Sequence, residues 1–107
     1  MNQTLAITAI TASGRAYDIN FPLHSESRSA EGVGALVTDL LDCLSRSLST
    51  RQDVSDGDVL QALTMTLAVR ARMLGASPET TSELVRELFE TAYAAARAAP
   101  PYVSGRA

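Results

Sequence analysis

A chain of 107 residues, 46% hydrophobic and 20% charged, has room for one core and the composition of an ordinary globular protein, which excludes a fibrous or a disordered chain. Net charge is −3, and the nine basic residues are all arginine, scattered from Arg15 to Arg106. An acidic chain without a basic stripe is unsuited to a nucleic-acid backbone or an anionic membrane surface, so neither is expected as a partner. The absence of lysine reads as a bias of the genome.

The first segment, "MNQTLAITAITASG", lacks the basic start of a signal peptide, and no apolar run approaches the length of a membrane span. A single cysteine, Cys43, cannot close an internal disulfide, and a cytoplasmic location is expected.

From Thr4 to Phe21 the apolar pattern has period two. Leu5, Ile7 and Ala9 share one parity and Tyr17, Ile19 and Phe21 another, as in two half-buried strands. "TASGR", residues 11 to 15, separates them, and Gly14 supplies the positive φ of a tight turn. A β-hairpin is predicted, ended by Pro22 and dependent on helices for cover.

"LHSESRSAEG", residues 23 to 32, is a polar connection that holds His24 and Glu26. Val33, Leu36, Val37, Leu40, Leu41, Leu44 and Leu48 then fall at spacings of three and four, one stripe of an amphipathic helix. Gly32 and Gly34, in "EGVGAL", lack the third glycine and the preceding strand of a phosphate-binding fingerprint.

"DVSDGDVLQAL" poses a choice between a metal loop and a helix start. With Gly57 at the sixth position of an EF-hand loop, Gln52 falls first, Val54 third and Leu63 twelfth, so three ligand positions fail. As a helix start it works: Ser55 or Asp56 accepts from free N–H groups of the first turn, and Asp58 puts negative charge at the positive end of the dipole. No metal ligand set is assigned.

From Val59 to Leu74 apolar side chains occur around most of the helix, with Arg70 and Arg72 the only charges. Such a helix is either central to the fold or presents a spare face to another subunit. Leu63, Met65, Leu67, Val69 and Met73 are the candidate interface or core residues.

Gly75 closes that helix, and Ser77-Pro78-Glu79 opens a third as N-cap, first helical position and first-turn acid. Leu84, Val85, Leu88, Phe89, Ala92 and Ala96 make its stripe. Pro100 and Pro101 end it, leaving a flexible tail over residues 100–107.

The predicted fold is therefore α+β, an N-terminal β-hairpin followed by three α-helices in one domain over residues 1–99, with the hairpin packed on the helices. No catalytic residue is assigned. Cys43 beside an apolar stripe and His24 in a distant loop do not make a nucleophile and base. No cofactor is implied. Two functions follow: a non-enzymatic, self-associating accessory or adaptor protein, expected as a homodimer, with itself or another protein as partner; and a small-ligand domain or minor enzyme with a pocket between hairpin and helices, drawing on His24, Glu26 or Arg70. A helix-turn-helix over the last two helices is disfavoured by the acidic third helix.

Overall fold

The computed structural model describes residues 3–10 and 15–103. Two antiparallel strands, β1 (Thr4–Ile10) and β2 (Arg15–Pro22), form the hairpin, with Leu5 facing Phe21, Ile7 facing Ile19 and Ala9 facing Tyr17. The turn expected around Gly14 lies outside the described residues. On the outer face Thr8 and Asp18 are directly opposed, and the Thr8 hydroxyl donates to Asp18 Oδ1 over 2.7 Å. A further ladder bond, from Leu23 N–H to Gln3 C=O at 2.8 Å, follows Pro22.

Three helices follow: α1 (Ala30–Ser49), α2 (Asp56–Arg72) and α3 (Pro78–Ala98). The fold is α+β, with the hairpin in contact with the helices. Helix α1 begins earlier than its apolar stripe, because Ser29 caps it and accepts from the Gly32 N–H at 2.9 Å; the polar connection is correspondingly shorter than residues 23–32. Helix α3 starts as its signals require, with the Ser77 hydroxyl accepting from Thr80 N–H and Pro78 in the first turn. Helix α2 stops at Arg72 with Met73 as C-cap, and Gly75 has no positive φ, so a left-handed glycine is not what closes it.

The chain after Pro100 departs from the expected tail. Pro101–Val103 form β3, which pairs antiparallel with β2 and makes it the central strand of a three-stranded sheet of order β1-β2-β3. The physical reason lies in the prolines themselves. They end α3, but they also hold the backbone extended, and an edge strand tolerates a missing N–H.

What these elements bury is concentrated at the sheet. Ile7 and Ile19 are each 8% exposed and Ala16, set between Ile10 and Tyr102 in the ladder, is fully buried. Helix α1 lies on β1 and α3 on β2. Gly34 permits the first of these approaches, since a Cβ there would stand 3.1 Å from Leu5 Cδ1. Among the described residues, no Cα pair within 8 Å joins α1 to α2 or α3, or α2 to the sheet. Helix α2 packs on α3 alone.

Candidate functional site

The opening of α2 is fixed by a reciprocal cap. Ser55 Oγ accepts from Asp58 N–H and the Asp58 carboxylate accepts from Ser55 N–H, both at 3.1 Å. Of the two capping candidates, Ser55 is the one used. Asp58 is thereby committed to holding the helix end, and the acidic stretch works as a helix start.

Beyond the cap, α2 has two apolar faces. Leu60, Leu63, Leu67, Ala71 and Leu74 recur at spacings of three and four along one, and Ala62, Met65, Val69 and Met73 along the other. Thr64 and Thr66 hide much of their polarity by donating to the carbonyls of Leu60 and Ala62, each at 2.8 Å. A helix of this kind belongs in an interior. Yet every residue from Leu60 to Arg70 is exposed, and Val59 and Ala71 are only half-buried. The five residues singled out in the sequence, Leu63, Met65, Leu67, Val69 and Met73, range from 46% to 68% exposed. They belong to no core of this chain; α2 is not the central helix of the fold.

Between α2 and α3 runs an open groove of about 740 Å³. Leu67, Ala68, Ala71 and Leu74 supply one wall, and Val85 and Phe89 of α3 the other; Arg72 and Arg86 stand one on each helix. Phe89 continues along α3 into a ladder at spacing four. Its ring stacks on Tyr93 with centroids 5.5 Å apart, and the Arg97 guanidinium lies 5.8 Å from the Tyr93 centroid. Both rings remain more than half exposed.

The groove differs from the pocket expected between hairpin and helices, and His24, Glu26 and Arg70 are not among its lining residues. Glu26 N–H donates to His24 Nδ1 at 3.0 Å, which leaves the proton of the neutral ring on Nε2, the atom 4.0 Å from Glu87 Oε1 on α3. His24 thus stands near α3 without a hydrogen bond to it. Arg70 Nη1 donates to Met73 Sδ at 3.3 Å, within its own helix end. Cys43 is a free, exposed thiol on α1.

No family model, curated protein or solved structure matches the chain. Its physical properties carry the reading instead. The accessible surface is 8784 Å², against about 5,700 Å² for a folded monomer of 11.3 kDa by the usual scaling of area with mass. The Cα radius of gyration is 15.2 Å, against about 13 Å for a compact chain of this length. The surface is thus roughly 3,000 Å² above that scaling. Among the described residues, no helix is long and apolar enough to cross a membrane.

The sequence pointed at α2 but not at the groove. Arg72, Arg86, Ala68 and Phe89 acquire their place only through the packing of α2 on α3. The signal in the sequence for that wall was the apolar stripe of α3, which holds Val85 and Phe89.

Proposed function

We propose that this protein is a non-enzymatic, self-associating module, a homodimer that serves as an accessory or adaptor to a larger system in the cytoplasm. One observation carries the reading: a helix that is apolar on both faces is exposed from Leu60 to Arg70. Water around such a surface is unfavourable by about 25 cal/mol per Å² of apolar area. Two copies together carry about 6,000 Å² of such excess, at or beyond the upper end of what obligate homodimer interfaces remove, about 2,000 to 5,000 Å² and more in total. A small ligand of any common kind would leave most of it wet.

The groups that first suggested chemistry have structural partners. Asp58 completes a cap, Gly34 admits Leu5, and His24 Nδ1 accepts from Glu26 N–H. An exposed free thiol at Cys43 suits a reducing compartment.

Thermal unfolding measured over a hundredfold range of protein concentration tests the reading. If folding and association are one process, the Tm rises with concentration by mass action. A concentration-independent Tm with a single sharp transition would show that one chain is sufficient.

The ligand-binding alternative keeps one observation in its favour, the volume of the α2–α3 groove, which is of the size that small-molecule sites have. Its walls would have to be completed from elsewhere, because the groove is open. A saturable rise in Tm with a metabolite at constant protein concentration would support it.

A further inference from the structure

Helix α1 carries a second apolar line, separate from the side that meets β1. Val33, Leu36, Leu40, Cys43 and Ser47 follow one another at spacings of three, four, three and four, the period of a helix seam that packs against other helices. All five are exposed; Leu36 and Leu40 are each at 63%. The half-buried residues Val37, Leu44 and Leu48 lie about a quarter-turn away. Asp39 stands at the far margin of the seam.

Two uncovered surfaces of this chain are therefore complementary in form and sign: a ridge of medium and small side chains bordered by an acid, and an apolar groove with Arg72 and Arg86 on its walls. They do not meet within one chain, since no Cα of α1 comes within 8 Å of α2 or α3 among the described residues. We infer that the α1 seam of one copy seats in the α2–α3 groove of a second copy, and reciprocally, with Asp39 approaching the arginines of the partner groove. This rests on the homodimer proposed above and names the surfaces that form it. The reciprocal exchange closes the assembly as a twofold dimer, so no edge is left for open-ended growth. It also accounts for area on both sides: the seam loses the exposure of Leu36 and Leu40, and the groove loses that of Leu67 and Phe89.

The lone thiol lies on the seam and reports the contact directly. The full chain carrying Ala71→Cys together with Cys43→Ser is co-refolded with the unaltered chain and oxidised, and non-reducing electrophoresis reads the covalent dimer. The expected result is a disulfide-linked dimer in the mixture, at least fivefold more abundant than in either chain oxidised alone. Ala68→Cys with Cys43→Ser repeats the test on the neighbouring turn, so that one poorly folded variant does not decide it. A dimer mass by light scattering with no mixed cross-link at either position overturns this docking while leaving self-association intact. Efficient cross-linking of the unaltered chain alone also overturns it, because α1 would then face α1. A monomer mass overturns both.

Discussion

Ile19 on β2 and Val69 on α2 are both β-branched apolar residues in regular secondary structure, yet Ile19 is 8% exposed and Val69 is 62% exposed. The difference is one of neighbours. The sheet receives α1 on one strand and α3 on another, and its apolar face closes within the chain. Helix α2 receives only the edge of α3, and most of its circumference stays open. Hydrophobicity of a segment sets how much cover it needs, while topology decides whether the same chain supplies that cover. In this protein the buried apolar residues gather at the sheet, and on the reading proposed above the α2 end is covered by a partner.

The largest effect is expected at the sheet. Ile19→Ala empties a site between β2 and the helices and should cost about 2–5 kcal/mol, read as a lower denaturant midpoint at every protein concentration. Leu67→Asp, in the wall of the groove, separates the two regions more sharply. On an isolated chain an exposed position tolerates such a change within about 0.5 kcal/mol, whereas at a subunit interface it buries a charge. We expect the dimer dissociation constant to rise at least tenfold, about 1.4 kcal/mol, in sedimentation equilibrium. No change in either mass or stability would remove α2 from the interface.

Gly34→Ala sharpens the account of how α1 reaches the sheet. Alanine is favoured over glycine in a helix by about 1 kcal/mol, but its Cβ would press Leu5 Cδ1 from 3.1 Å. A net loss of about 1 kcal/mol is expected, turning into a gain of similar size when Leu5→Ala makes room. Chemical denaturation of the four combinations measures both. The smallest effect belongs to the α2 cap: Ser55→Ala should lower stability by about 0.5–1 kcal/mol, read as a small drop in Tm, through loss of the Asp58 N–H acceptor.

Legibility in the sequence followed the range of the interaction. The two strands and their apolar parities were readable because period two depends on neighbours along the chain, and in the sheet Leu5, Ile7 and Ala9 lie opposite Phe21, Ile19 and Tyr17. The Ser55 and Ser77 caps were readable for the same reason. Ser29 was less visible, because two glycines follow it and blur the helical pattern. The β3 strand was hidden in three residues that open with a proline and gain their place by pairing with distant Arg15 to Tyr17. The groove was out of reach altogether. It arises from the spacing of α2 against α3, and nothing local in Arg72 or Arg86 announces that they share it.

On the proposed reading, α2 is covered by a second copy of this chain. Absolute mass by light scattering after size exclusion, over a hundredfold range of loading and in moderate salt, tests it most directly. The account predicts twice the 11.3 kDa of the chain at all but the lowest loading. A mass of 11.3 kDa throughout, from a protein that is folded and shows one cooperative unfolding transition, would contradict it.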